Sequence, residues 1–311
     1  MNQFGARGLI GHMDIGWLED FLTVAETRNF TRAAQLRNVS QAAFSRRIKA
    51  LEGWLGASLI DRSSFPTCLT HDGELFRERA AEIVQQVAAS RLSGAEPGRR
   101  KQIGIALPHS LATGRLPAWW NAWSTQIGPR VMCNVVTGDV NEIVAALMTA
   151  EVDLLICYQS IHMSITLPTE QYDYIEIGEE AISPYASTAL VKRMRSSLHE
   201  NKSPALPLLM YTKSATFSGV VEAIIKNALQ KPVGEIVFEA ESTAVLRGMA
   251  VAGHGVAWLP VCVANEAPAG ALERIDASEW SATLKIVAYR DKHFRFSALT
   301  ELWALLSSGS F

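Results

Sequence analysis

The chain contains 311 residues, of which 48% are hydrophobic and 19% are charged, and its formal net charge is −2. This length exceeds that of one small domain, and the composition indicates a globular protein with sizeable cores, not a disordered or fibrous one. The four cysteines, Cys68, Cys133, Cys157 and Cys262, are far apart and form no Cys-x-x-Cys pair, which argues against a disulfide scaffold and a zinc ribbon.

The first thirteen residues contain Arg7 and several glycines but no apolar stretch ahead of a cleavage site, so they do not fit a signal peptide. We predict a mobile N-terminal extension over residues 1–13. No apolar run in the chain approaches the ~18 residues that a membrane span requires. The sequence therefore predicts a cytoplasmic protein with no membrane partner.

Two short helical segments follow between Phe30 and Leu51, separated near Asn38. Ser40 can cap the second segment, which carries polar and basic residues on one side and apolar residues on the other. From residue 28 to residue 62 there are seven basic and two acidic side chains, a local net charge of +5. A basic helix held by a preceding helix is typical of a helix-turn-helix that enters a DNA major groove. The alternative is an ordinary amphipathic helix pair with a solvated charged face.

Residues 17–76 resemble the N-terminal winged helix-turn-helix domain of the LysR-type transcriptional regulators. The resemblance rests on an ordered series that includes Phe30-Thr31-Arg32-Ala33-Ala34, Val39-Ser40-Gln41-Ala42-Ala43-Phe44-Ser45, Leu51-Glu52, Leu55-Gly56, Asp61-Arg62, Leu69-Thr70 and Gly73. Ala42 stands where the family often has proline. The resemblance implies that Gln41, Ser45 and Arg46 lie nearest the bases and that Arg32, Arg47, Lys49 and Arg62 hold phosphates. The full expected DNA-binding set is Arg32, Ser40, Gln41, Ala42, Ser45, Arg46, Arg47, Lys49 and Arg62.

A wing is predicted directly after the second helix. Gly56 should end that helix, and residues 58–69, with Pro66 and several small polar side chains, fit a β-hairpin. The predicted winged helix-turn-helix domain therefore covers residues 14–69.

A long helix is predicted over residues 70–93, because Thr70 can cap it and apolar residues recur at three- and four-residue steps up to Leu92. Part of this apolar stripe can pack on its own domain, but its length favours a partner. In the family, the matching linker helix pairs antiparallel with its twin in a dimer. The Gly- and Pro-containing segment 94–100 is the predicted hinge.

Beyond the hinge, residues 101–311 alternate strands with helices, which predicts an α/β domain built on parallel sheet. The predicted strands are Gln102–Leu107, Val131–Thr137, Leu154–Tyr158, Leu208–Tyr211, Glu235–Phe238, Val256–Leu259 and Ile286–Ala288. The predicted helices are Arg115–Gln126, Asn141–Thr149, Ser218–Gln230, Ala244–Ala252 and Phe296–Ser307.

This half also resembles the LysR family, whose effector domain looks like a periplasmic binding protein with two α/β lobes. Motifs that carry the likeness include Leu116-Pro117, Thr137-Gly138, Glu151-Val152-Asp153, Glu241-Ser242-Thr243 and Ala252-Gly253-His254-Gly255-Val256. The resemblance implies lobe I at about 101–176 and 267–311, and lobe II at about 177–266. The expected fold class is α/β, with an N-terminal winged helix-turn-helix, a long linker helix and a two-lobed effector domain.

An effector site is expected at the carboxyl ends of the strands, where ligands of open α/β sheets bind. Three turns can be placed there, over residues 108–112, 137–139 and 211–214, and Ser242-Thr243 opens a helix opposite them. Tyr211 can instead belong to the core. The expected effector-binding residues are His109, Ser110, Leu111, Thr137, Asp139, Tyr211, Thr212 and Thr243.

The chemistry of the effector stays open at this point. Hydroxyls and helix N-termini suit a carboxylate or another anion, whereas Asp139 would repel one unless Lys213 or Arg115 compensates. Ser110, Thr243 and Asp139 can also be simple helix caps.

Three other classes of protein are alternatives. The sequence contains no Gly-x-Ser-x-Gly, His-Glu-x-x-His, Walker or dinucleotide loop, and its seven histidines are scattered, so we expect no enzyme, no cofactor and no metal. A solute-binding protein would explain the second half only. An oxidant sensor is the remaining alternative, since parts of the chain resemble the hypochlorite-responsive branch of the family. Its candidates are the four cysteines and Met132, Met148, Met163, Met194, Met210 and Met249.

The sequence thus predicts a LysR-type regulator whose DNA binding or promoter activation is controlled by a small molecule between two lobes. The expected partners are an interrupted palindromic operator in double-stranded DNA, RNA polymerase and further copies of the chain in a homodimer or homotetramer.

Overall fold

The computed structural model describes residues 13–63, 66–93, 102–128, 131–163, 165, 167–199, 205–275, 278–293 and 296–309. The predicted hinge over 94–100 and all but the last residue of the predicted extension over 1–13 lie outside the described residues.

Three short helices and a small hairpin form the N-terminal domain. They are α1 (Ile15–Thr27), α2 (Phe30–Leu36), α3 (Gln41–Leu55), β1 (Ile60–Asp61) and β2 (Cys68–Leu69). Each helix begins at a capping side chain: Asp14, Asn29 and Ser40 accept backbone N–H bonds. The helix break, the Ser40 cap and the antiparallel wing are confirmed.

A long helix, α4 (His71–Ser93), follows the wing as predicted. The hydroxyl of Thr70 accepts a hydrogen bond from the Gly73 N–H at 3.0 Å. Gly73 has no room for a side chain, because a Cβ there would lie 2.1 Å from the Leu59 carbonyl oxygen. Backbone contact between the helix and the wing therefore requires glycine at this position.

The apolar stripe of α4 is divided between two faces. Ala80 and Val84 are buried in the same cluster as Phe21 of α1, whereas Leu75 is 61% exposed and Ile83 is 38% exposed. One side of the stripe therefore packs inside the chain, and pairing of the exposed side with a second copy stays a prediction.

In the part of the chain that the structure describes, the α/β domain is built on one nine-stranded sheet. Its strands are β3 (Gln102–Leu107), β4 (Met132–Thr137), β5 (Leu154–Gln159), β6 (Tyr172–Ser187), β7 (Leu206–Tyr211), β8 (Gly234–Ala240), β9 (Val256–Pro260), β10 (Leu272–Arg274) and β11 (Ala282–Asp291). Its helices are α5 (His109–Gly114), α6 (Leu116–Ile127), α7 (Val140–Met148), α8 (Thr188–His199), α9 (Ser218–Asn227), α10 (Thr243–Val251), α11 (Val261–Ala264) and α12 (Ser297–Ser308).

The strand order is β4-β3-β5-β11-β6-β9-β7-β8, with β10 beside β6. The outer strands of each lobe pair in parallel, as predicted for strands joined by helices. The centre differs: β6 and β11 are antiparallel to each other and to their neighbours. These two long strands cross from one lobe to the other in opposite directions, which makes the sheet mixed.

The boundary predicted at Ile177 lies inside β6, which passes through it without a break. The predicted return to lobe I at about residue 267 comes later along the chain. Residues 272–274 still pair with the lobe II end of β6, and β11 makes the crossing. Among the described residues, no helix combines the length and the apolar character needed to cross a membrane.

Candidate DNA-binding surface and effector cleft

The face of α3 that points away from the core carries the predicted base-reading residues. Gln41, Ala42 and Arg46 are exposed and Ser45 is half-buried, while Phe44 on the opposite side is completely buried. Lys49 extends the exposed face. Within the described part of the chain, neither Arg46 nor Lys49 takes part in an ion pair, so both cations are available to a nucleic acid.

The wing is fastened to α3 through Glu52. One carboxylate oxygen accepts the Leu59 N–H at 2.9 Å, and the other lies 3.2 Å from a guanidinium nitrogen of Arg62. A second guanidinium nitrogen of Arg62 is 3.5 Å from the Ser45 hydroxyl, and the group lies over the Phe30 ring. Arg62 therefore lies beside the predicted base-reading residues of α3, although it also holds the wing in place.

Arg47 has a structural partner that the sequence did not reveal. Its guanidinium lies 3.3 Å from the carboxylate of Asp20, a fully buried residue of α1 that also accepts a hydrogen bond from Arg37 at 2.9 Å. Burial works against the charge on Arg37, but the carboxylates of Asp20 and Glu19 outweigh it and raise the pKa of Arg37. The three helices are thus joined through Asp20, and Arg47 is not simply the free phosphate ligand that we expected.

Arg32, also predicted to hold phosphate, points to the α/β domain. Its guanidinium bonds through two nitrogens to Oε1 of Glu142 in α7. The Glu142 side chain is 9% exposed and the Arg32 side chain is 49% exposed.

A cleft of about 590 Å³ opens at the carboxyl ends of β3, β4, β7 and β8, where we predicted an effector site. It lies between the two lobes, and Arg32 from the N-terminal domain forms part of its wall. Five of the predicted effector residues line it: His109, Ser110, Thr137, Asp139 and Thr243.

The polar groups of this cleft are already partly paired. His109 Nε2 lies 3.4 Å from the Thr137 hydroxyl, and the Ser110 hydroxyl lies 3.1 Å from the Tyr158 hydroxyl. Asp139 caps α7, with Glu142 returning the bond in a capping box, so the capping alternative holds for Asp139. It does not hold for Ser110, which lies inside α5 and bonds to Tyr158.

Three predicted effector residues lie elsewhere. Leu111 is fully buried in the core, because the segment that we predicted as a loop forms the helix α5. Tyr211 is also buried, and its hydroxyl donates to the Trp258 carbonyl at 3.0 Å. Thr212 is half-buried and near Ser214, outside the cleft wall. Burial raises the pKa of Tyr211, so it stays a neutral core residue.

A buried carboxylate that the sequence did not single out joins the lobes near the cleft. Glu180 of β6 is completely buried and accepts two hydrogen bonds from Arg115, at 2.8 and 2.9 Å. Its other oxygen accepts the Cys262 N–H at 3.1 Å. Burial opposes the charge on Arg115, yet Glu180 raises its pKa. Arg115 therefore compensates Glu180 and not Asp139.

Comparison with known proteins identifies both halves. Residues 15–74 match the family described as "Bacterial regulatory helix-turn-helix protein, lysR family", and residues 97–309 match the "LysR substrate binding domain". The chain belongs to the LysR family of DNA-binding transcriptional regulators. The solute-binding alternative is therefore wrong for the whole chain, and the family consists of regulators rather than enzymes.

Several full-length relatives agree with this assignment. The regulator YjiE of Escherichia coli K12 is 29% identical over 93% of this chain and 92% of its own. Vibrio fischeri DarR, solved in complex with DNA, is 29% identical with a TM-score of 0.53, covering 95% and 99% of the two chains. Salmonella typhimurium HypT, described as hypochlorite-specific, is 28% identical with a TM-score of 0.53, covering 96% and 99%.

The thiols of this LysR-type chain do not favour oxidant sensing. Cys157 and Cys262 are buried, and burial raises the pKa of each to about 12. Burial also raises the pKa of Cys133 to about 11. Because the thiolate is the form that oxidants attack, these groups are poor sensors near neutral pH.

A thiol-reactivity measurement checks this conclusion. With Ellman's reagent at pH 8, we expect the exposed Cys68 to react first, while Cys157 and Cys262 react only after unfolding. A group with a pKa of about 12 has only about one thiolate in ten thousand at that pH. The Cys68→Ser variant should lose the fast phase. Equally fast labelling of Cys262 in the folded protein would reopen the redox alternative.

Proposed function

We propose that α3 reads an operator in the major groove and that a small molecule in the interlobe cleft controls this binding or the activation that follows. The observation that carries the proposal is the cleft itself. It has a volume of about 590 Å³ and is walled by helix starts and loops of both lobes. Clefts of this size and position hold small ligands in α/β domains. Closure of the lobes around a ligand would shift the population between two arrangements of the protein.

The direct reading set that we propose is Gln41, Ala42, Ser45 and Arg46, with Lys49 and Arg62 on phosphates. Ser40 acts as the helix cap, since its hydroxyl accepts the Ala43 N–H at 3.3 Å. The exposure of Arg46 and Lys49 supports their roles, and the DNA complex of DarR supports DNA binding by this kind of chain.

The assembly we propose is a dimer, and a tetramer of two dimers, held through α4 and the effector domains. Its support is the uncovered part of the α4 stripe, at Leu75 and Ile83. A symmetric dimer binds two half-sites, so the operator would be an interrupted palindrome. The protein would act in the cytoplasm, where it meets DNA and RNA polymerase. We retain residues 14–69, 70–93 and 101–311 as its working domains.

The cleft is tested with the Thr243→Phe variant. A phenyl group there should fill the space between the lobes and remove effector binding, while operator affinity persists. The measurement is a thermal-shift screen of small metabolites against the wild type and the variant, since a ligand that binds only the folded state raises Tm.

The matched control is Val245→Phe, on the same helix α10 but outside the cleft wall and 45% exposed. It should keep the wild-type response. A ligand that raises the Tm of Thr243→Phe as much as that of the wild type would show that the effector binds elsewhere.

A further inference from the structure

The N-terminal domain is docked on the effector domain over an apolar patch and the Arg32–Glu142 ion pair. Leu18 and Leu22 of α1 are buried in the same cluster as Ile143 and Leu147 of α7. The Arg32–Glu142 pair lies at the edge of this contact and reaches the cleft. The Glu142 carboxylate therefore both lines the cleft and holds the N-terminal domain against the effector domain.

Hydrogen bonds with Asp139 fix the position of the Glu142 side chain. Its Oε2 accepts the Asp139 N–H at 3.1 Å, and its own N–H donates to Asp139 at 3.0 Å. The carboxylate lies against Gly138, where a Cβ would come within 2.4 Å of Oε2. Because the backbone fixes one oxygen, the other oxygen is presented to Arg32. Arg32 in turn stands in the first turn of α2, which Asn29 caps.

In the docked state, Arg32 of α2 is less available to bind a DNA phosphate. A guanidinium that is engaged through two nitrogens with Glu142 has its charge compensated and is held at the effector domain, so it is a weaker ligand for a phosphate. The docking contact is also interrupted by a groove of about 370 Å³ that opens to solvent, lined by Ile15 and Leu36 on one side and by Ala150 and Glu151 on the other. Such an interface is easier to open than a close-packed core.

The charge of the cleft indicates what would open it. Among the described residues, four carboxylates line the cleft, from Asp139, Glu142, Glu241 and Glu266, against the guanidiniums of Arg32 and Arg247. Arg247 is already paired with Glu266. Departure of Arg32 would leave the four carboxylates with one guanidinium, so the open cleft attracts a cation and repels an anion.

We propose that the Arg32–Glu142 pair is a latch: a ligand with a guanidinium or ammonium group takes the place of Arg32 on Glu142 and releases the DNA-binding domain from the effector domain. This inference rests on the cleft being the effector site. It replaces the anionic effector suggested by hydroxyls and helix N-termini with a cationic one.

The latch is tested on the full-length protein with Glu142→Gln, which removes the charge but keeps the oxygen that closes the capping box. The radius of gyration from X-ray scattering should rise. Operator affinity without ligand should increase by up to roughly fivefold, because an ion pair with one half-exposed partner contributes about 1 kcal/mol at most. Arg32→Gln breaks the same pair from the other domain and should give the same expansion.

Glu241→Gln is the matched control, because it removes another carboxylate from the cleft wall that bonds to Ser214 and not to Arg32. It should leave the radius of gyration unchanged. An unchanged radius in both Glu142→Gln and Arg32→Gln, or equal expansion in Glu241→Gln, would overturn the latch.

The ligand class is tested with agmatine, which carries a guanidinium on an alkyl stem like that of Arg32, against glutarate at matched ionic strength. Agmatine should increase the radius of gyration of the wild type and should not increase that of Glu142→Gln any further. No effect of agmatine on the wild type, or expansion by glutarate, would overturn competition by a cation. A metabolite could raise the Tm of the wild type but not of Thr243→Phe, and leave the radius of gyration unchanged. That result would contradict the latch but would leave the cleft as the effector site.

Discussion

Replacing Arg115 with methionine should lower the free energy of unfolding of the effector domain by about 3 kcal/mol, because it leaves a buried carboxylate with too few partners. Glu180 is completely buried and would keep one hydrogen bond, from the Cys262 N–H at 3.1 Å. The value is at the low end for a broken buried pair because the Arg115 side chain is itself 38% exposed. Urea unfolding followed by tryptophan fluorescence measures the change.

The control for this variant is Arg247→Met, which removes another guanidinium paired with a glutamate, at a site where both side chains are partly exposed. It should change the free energy of unfolding by about 1 kcal/mol or less. If Arg115→Met were no less stable than Arg247→Met, Glu180 would not be the charged link between the lobes that the structure indicates.

Replacing Arg46 with alanine should weaken specific operator binding by about 1–3 kcal/mol, roughly 5- to 150-fold in Kd. Arg46 is exposed on the reading face of α3, and a guanidinium that reads a base edge contributes most when the sequence is correct. The measurement is the ratio of operator affinity to affinity for random DNA at several salt concentrations. For Arg46→Ala that ratio should fall.

Two comparisons separate reading from simple charge loss. Lys49→Ala should weaken binding to both DNAs alike and lower the slope of affinity against salt by about one unit. Lys226→Ala, which removes an exposed cation from α9 of the effector domain, should change neither quantity. An unchanged specificity ratio in Arg46→Ala would remove Arg46 from the reading set.

Two interpretations of basic residues changed once their neighbours were known. Arg47 and Arg32 look like Lys49 in the sequence, since all are cations near exposed helix faces. In the structure Arg47 bonds to the buried Asp20 and Arg32 bonds to Glu142, which is 110 residues further along the chain. Residue type indicates that a side chain can hold a phosphate, but the elements packed beside it decide whether it is free to do so.

The effector domain shows the same difference between what local sequence predicts and what contacts between distant segments decide. Its parallel outer strands and their helices were predictable, because alternation and caps such as Asp139 are local patterns. The antiparallel crossing of β6 and β11 was not, because pairing between strands more than ninety residues apart leaves no local signal. The sequence does not predict helix α5, because six residues are too few for a helical period, and the buried Leu111 therefore looks like a cleft residue in the sequence.

By itself, the sequence determined the helix starts at Ser40 and Thr70, the exposed basic face of α3 and the family, because capping, periodicity and ordered motifs depend on residues that are close together in the chain. Only the tertiary structure decided which charges meet. Glu142 and Arg32, and Glu180 and Arg115, come from distant segments, and whether such groups compensate each other depends on distance and burial, which packing alone sets.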